Sequence, residues 1–206
     1  MITTIPLAAL LGGWALAGGS PGPATLAISG TAMGQGRRAG LTIASGIVAG
    51  SALWGIAAAL GVAALMQANA WAFEIIRYAG AAYLGYLGLK SLHRAWDGTP
   101  PKAAHVGRTG LFWKGALLHL TNPKAVLAWG SIYSIALPPS AAAQDIWTLF
   151  AMLISTSTLV FLGYGILFST PAMANAYKRL HRIFDATFGL FFGAVAAKIL
   201  TADLQN

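Results

Sequence analysis

The fold class predicted for this chain is an all-α membrane protein: six transmembrane helices in two inverted three-helix repeats, with helices 1 and 4 discontinuous. Three observations predict it. Of 206 residues, 57% are hydrophobic and 9% charged, with a mean hydropathy of +0.67, against roughly 25% charge in an ordinary soluble domain. The uncharged stretches reach the ~20 residues that a helix needs to span hydrocarbon. The two halves of the chain also resemble each other, and each copy carries a proline break.

The spans are placed at about 5–33, 40–66, 70–93, 110–137, 145–169 and 182–202. No charged side chain occurs from Met1 to Gly36, yet Ser20-Pro21-Gly22-Pro23 interrupts that run near its centre. Ala15-Leu16-Ala17 has the form of a signal-peptidase site, but the opening residues lack a basic n-region and the apolar run continues past it, so an uncleaved first span is expected. Gly34-Gln35-Gly36 turns the chain into the second span, where Gly46 and Gly50 offer a packing seam within one protomer. The third span begins near Glu74 and Arg77, which are spaced to pair with each other. A polar linker at about 96–108, containing Pro100-Pro101, then divides repeat 1 (about 1–95) from repeat 2 (about 109–206) of a single transmembrane domain.

In the fourth span Thr121-Asn122-Pro123 reads as a fresh helix start, since Asn is a favoured N-cap and Pro a favoured first residue. Ser20-Pro21 reads in the same way. Pro138-Pro139 leads to the fifth span, which carries Ser155-Thr156-Ser157-Thr158 near its middle, and the sixth contains Asp185, Gly189 and Gly193. The basic residues Arg37, Arg38, Lys90, Arg94, Lys102, Arg108, Lys114, Lys178, Arg179 and Arg182 flank the odd connections. By the positive-inside rule those connections are cytoplasmic and both termini periplasmic.

The net charge of +8 sits between apolar runs instead of on a face with stacking aromatics, which argues against nucleic acid and for a lipid bilayer as partner. Without cysteine there is no disulfide or thiolate metal site, and no cofactor or metal is expected. The chain has no HExxH, no pair of intramembrane aspartates and no GxxxxGK[ST] loop, so an intramembrane enzyme or ATP-driven pump is not supported.

Residues 24–27 match 125–128 at a shift of 101, and 84–92 match 192–200 at a shift of 108. The first match lays Pro21-Gly22-Pro23 on Asn122-Pro123-Lys124. Three spans per copy make the repeats inverted, as in many secondary transporters, where discontinuous helices in matching positions point to the binding site. Two restarted helices then aim positive N-termini at the midplane, and Lys124 adds a full charge, so the pocket should prefer an anion such as a carboxylate. A lysine at that depth costs about 2.5 to 3.5 kcal/mol to insert, which favours a functional role over pairing with Asp185. The expected substrate-binding residues are Ser20, Pro21, Gly22, Pro23, Asn122, Pro123 and Lys124. His119, Asp185, Thr156 and Ser157 are the candidates for proton coupling or cavity lining; His93, His105 and His181 fall in basic connections and should be solvated.

The early Pro21-Gly22-Pro23, the Gly40, Gly46 and Gly50 run, residues 80–88 (GAAYLGYLG), Phe112 with Gly115, and Asn122-Pro123-Lys124-Ala125 occur in the order seen in the LysE/RhtB family of amino-acid exporters, which this chain resembles over nearly its whole length. The resemblance implies six helices, a bacterial inner-membrane location and efflux of amino acids or close derivatives in exchange for protons. The fifth and sixth spans match that family only in general character. The expected function is therefore secondary active export of a small amino acid or related zwitterion by alternating access, with a proton as coupling ion. A passive channel or facilitator for small metabolites is the alternative reading, and a homo-oligomer is left open.

Overall fold

The computed structural model describes residues 6–68, 70–98, 106–138 and 141–201, and every element within them is an α-helix. Helix α1 spans Leu7–Gly19 and α2 Pro23–Gln35. They are separate because Ser20 and Gly22 each precede a proline, which forces both into extended backbone. Gly36, at φ 85°, turns α2 into α3, Arg37–Ala68. Helix α4, Ala70–Asp97, stops at Gly98, whose φ of 66° is closed to most other residues. Helices α5, Leu111–Leu120, and α6, Pro123–Ala136, are divided at Thr121 and Asn122. Helices α7, Ala143–Leu167, and α8, Pro171–Thr201, complete the order.

Two boundaries differ from the sequence expectation. Helix α8 begins at Pro171 instead of near 182, because Ala172 to Arg182 are good helix formers whose charges disguise them in a search for apolar runs. The first break spans three residues and the second two, and the N-caps Gly22 and Asn122 lie 100 residues apart. Ser20 is accordingly not an N-cap: it closes α1, its N–H donating to Leu16 O at 2.8 Å.

Among the described residues, three segments are long and apolar enough to cross a membrane: Arg37–Gly61, Ala143–Leu167 and Arg179–Ala197. They belong to α3, α7 and α8. Helix α3 packs on both α5 and α7, while α4 packs chiefly on α8. Glycines permit these approaches. A Cβ on Gly46 would overlap the carbonyl oxygen of Phe112, and one on Gly115 the carbonyl oxygen of Ile43, so α3 and α5 touch backbone to backbone. A Cβ on Gly88 would lie 3.0 Å from Gly193 N and 3.1 Å from Gly189 O across the α4–α8 seam.

Two apolar clusters form the core. Leu10, Trp14, Ala59, Trp129, Tyr133, Leu149 and Leu153 join α1, α3, α6 and α7. Ala27, Ile28, Ile43, Ile47, Leu111 and Phe161 join α2, α3, α5 and α7. The helix breaks fall between the two.

The foot of the α4–α8 pair is polar. Arg182 donates from Nε to Ala95 O at 2.9 Å and from Nη2 to Trp96 O at 3.0 Å, covering carbonyls that the end of α4 leaves open. His181 Nε2 lies 3.1 Å from Gly98 O and the residue is buried, so His181 is not the solvated histidine its basic neighbourhood suggested. His93 does remain on the surface, 3.2 Å from Asp97. His105 and the side chains of Glu74 and Arg77 lie outside the described residues.

Candidate functional site

The two helix breaks meet. Lys124, in the first turn of α6, donates from Nζ to the carbonyl oxygen of Ser20 at 3.2 Å and to the Ser20 hydroxyl, joining α6 to the C-terminal end of α1. Gly22 is near enough that a Cβ there would lie 3.5 Å from Lys124 Nζ. Both new helices start on proline, which lacks the N–H that a first turn cannot use. Their caps differ. Asn122 Oδ1 accepts from Lys124 N at 3.1 Å, so the start of α6 is closed. Helix α2 has no such side-chain cap on its first turn, and its free N–H groups carry the positive end of the helix dipole. Thr25 orders the loop instead: its hydroxyl accepts from Gly22 N at 3.0 Å and lies 3.1 Å from Ser20 O as donor.

Beside this junction is a cavity of about 50 Å³, room for a few water molecules, lined from α1, α2, α3, α5, α6 and α7. One end is polar, with Ser20, Gly22, Thr25, Asn122, Lys124 and His119. The rest is mostly apolar, with Trp14, Trp129 and Phe161 as its largest groups. Trp14 and Trp129 meet edge to face at a centroid distance of 4.7 Å. Each indole N–H is satisfied by a wall serine: Trp14 Nε1 donates to Ser157 Oγ at 2.8 Å, and Trp129 Nε1 to Ser51 Oγ at 3.1 Å. Both indole donors of the wall are therefore already engaged.

Of the residues singled out from sequence, the cavity brings together Ser20, Gly22, Asn122, Lys124, His119 and Ser157. Pro21 and Pro23 shape the break without lining the cavity, Pro23 being exposed; Pro123 heads α6 through its backbone. Thr156 returns its hydroxyl to Met152 O at 2.9 Å, as Ser155 and Thr158 do to their own preceding turns. Asp185 is fully buried elsewhere, accepting at Oδ1 from Arg94 Nη2 at 2.7 Å and Nε at 3.1 Å between α4 and α8. It is Arg94, not Lys124, that neutralises it. Sequence reasoning missed Trp14, Thr25, Ser51, Trp129 and Phe161. For the tryptophans a signal existed: an indole N–H inside an apolar run must find an acceptor, and a serine in another span is the obvious one.

Described elements that are all helices, membrane-length apolar segments among them, and two helix breaks joined beside a half-open cavity have the build of a membrane translocator. A family model described as LysE type translocator matches residues 17–203, and the chain belongs to that family, whose members are transporters and not enzymes. It is similar to the threonine efflux protein of Escherichia coli (strain K12), 28% identical with 88% of this chain and 90% of that protein covered. It is 30% identical to the threonine efflux protein of Salmonella typhi over the same shares. The leucine efflux protein of Enterobacter sp. (strain 638) is 34% identical, with 87% of each chain covered. No solved structure matches.

Proposed function

We propose that this protein exports a small amino acid or related zwitterion across the bacterial inner membrane as a proton-coupled secondary transporter. The observation that carries the reading is the contact of Lys124 with Ser20 across the two breaks, above a cavity that has one polar end. A substrate carboxylate offers Lys124 a full negative charge, where Ser20 O offers one carbonyl dipole. The uncapped first turn of α2 supplies further donors. Transferring the Lys124 amine from Ser20 to substrate releases α6 from α1, which couples binding to opening. The names of the threonine and leucine efflux relatives support an amino acid as cargo.

Six spans in two inverted repeats accommodate the same facts. Helices α1 and α2 have 13 residues each, and α5 and α6 have 10 and 14. At about 1.5 Å per residue each pair adds up to more than the ~30 Å of a hydrocarbon core. The partners that such a repeat exchanges, α3 with α7 and α4 with α8, pack on each other. Alternating access then rocks one half against the other around the Lys124 junction, with both termini periplasmic.

Counterflow in proteoliposomes tests the reading. Loaded with a panel of neutral amino acids including leucine and threonine, they should take up labelled substrate saturably, faster with an opposing proton gradient. Uptake that is flat across the panel rejects the cargo. Flux that is unsaturable and blind to trans substrate turns the carrier into a channel.

A further inference from the structure

The cavity has donors for a carboxylate, but a zwitterion also brings an ammonium, which needs acceptors. Among the described residues no aspartate or glutamate lines the wall. Its side-chain oxygens each already accept one hydrogen bond. Asn122 Oδ1 takes Lys124 N, Ser20 Oγ takes Lys124 Nζ, and Thr25 Oγ1 takes Gly22 N. Ser51 and Ser157 take the two indoles. His119 stands apart: it lines the cavity, is 5% exposed, and its Nδ1, shielded from the cavity as the ring now lies, has no hydrogen-bond partner at all among the described residues. A buried polar atom without a partner is unfavourable enough to need an explanation.

The histidine is packed at its backbone end and on one ring edge, which leaves the ring torsion as its freedom. Its ring meets Phe161 edge to face at 5.6 Å, and a Cβ on Gly50 would lie 3.0 Å from His119 Cβ, so α7 and α3 pack on it from two sides. A neutral imidazole with its proton on Nε2 offers Nδ1 as an acceptor. We propose that His119 is a substrate-binding residue whose ring turns Nδ1 to the cavity as substrate enters and accepts a hydrogen bond from the α-ammonium of the transported amino acid, while Lys124 holds the carboxylate. This rests on the amino-acid reading above and narrows it. With Trp14, Ala17, Ala128, Trp129 and Phe161 around the remaining space and no acid among the described lining residues, the site suits amino acids with uncharged side chains.

The test compares ligands that differ only in the ammonium. Binding to the detergent-solubilised full chain is measured for leucine against 4-methylpentanoate and for threonine against 3-hydroxybutanoate, with lysine as the charged control. In the wild type the amino acid of at least one pair should bind about tenfold or more tightly than its des-amino partner, and lysine should not compete. His119→Ala should erase that preference by weakening the amino acid while leaving the des-amino acid within about twofold of wild type. His119→Asn, whose amide oxygen reaches the region of Nδ1, should recover most of it.

Equal weakening of both ligands, or an unaltered preference in His119→Ala, overturns the assignment. So does equal affinity of the wild type for both members of the pairs it binds, a result that needs no variant at all. Failure of the wild type to bind any neutral amino acid overturns the export reading and this assignment together. Leucine or threonine binding that ignores His119 removes only the latter.

Discussion

The side-chain amine of Lys124 bonds both the hydroxyl and the carbonyl oxygen of Ser20, so one cation fastens the start of α6 to the end of α1. The geometry favours it electrostatically, since a helix C-terminus carries about half a negative charge. In water such a contact would be weak. Inside a bilayer it offsets part of the cost of a lysine, and a carboxylate would offset more.

Lys124→Ala should therefore reach the membrane in normal amounts and lose at least about tenfold in transport, from loss of a charge-assisted contact of about 1.5 to 3 kcal/mol. Ser20→Ala keeps the carbonyl contact and should lose much less. Initial efflux rates, normalised to inserted protein, measure both. Full-rate transport by Lys124→Ala would remove the lysine from the mechanism.

Backbone contact between α3 and α5 predicts a sharp difference between glycines. At Gly46 a methyl group would overlap the Phe112 carbonyl, whereas at Gly163 nothing lies within 4 Å. Gly46→Ala should destabilise by about 1 to 3 kcal/mol or more, as overpacking does. Gly163→Ala should be neutral or stabilising by up to about 1 kcal/mol, the helix-propensity difference. Thermal unfolding in detergent distinguishes them, and equal behaviour would mean that the helices do not touch at Gly46.

Proline made the breaks legible from sequence, because a missing donor and a fixed φ act locally wherever the chain goes. The lysine two residues after Thr121-Asn122 was legible for the same reason. What it touches was not: Ser20 is 104 residues away, and the contact depends on how two separate helices end. Arg94 shows the limit most plainly. It lies among basic residues that the charge pattern assigns to the cytoplasm and reads as a topology signal, but it is the partner of a fully buried aspartate 91 residues on. The start of α8 was hidden by the same charges, since apolar runs detect membrane and not helix. Trp14 and Trp129 look like any other core residues until their indole partners are known.

The Arg94–Asp185 pair predicts a non-additive cycle. Asp185 is fully buried and Arg94 also donates to Ser91 Oγ at 2.9 Å, so removing the arginine strands a carboxylate. Arg94→Ala should cost about 3 to 5 kcal/mol, and an apolar pair such as Arg94→Met with Asp185→Leu much less. Additive losses in the double-mutant cycle would show that the two charges do not depend on each other.

Asn122 separates capping from charge. Its Oδ1 accepts from Lys124 N, and both residues line the cavity. Asn122→Ala removes the cap and should lower stability by about 0.5 to 2 kcal/mol, with a raised KM because the turn that carries Lys124 loosens. Asn122→Asp caps a helix as well as asparagine does and suits the positive end of the dipole, so the fold should be unharmed. It also adds a carboxylate to the cavity lining that Lys124 shares, where it competes with the carboxylate of the substrate. Wild-type unfolding temperature with strongly reduced transport is the expected pair of results for Asn122→Asp. If that variant transports normally, the polar end of the cavity is not where the substrate anion binds.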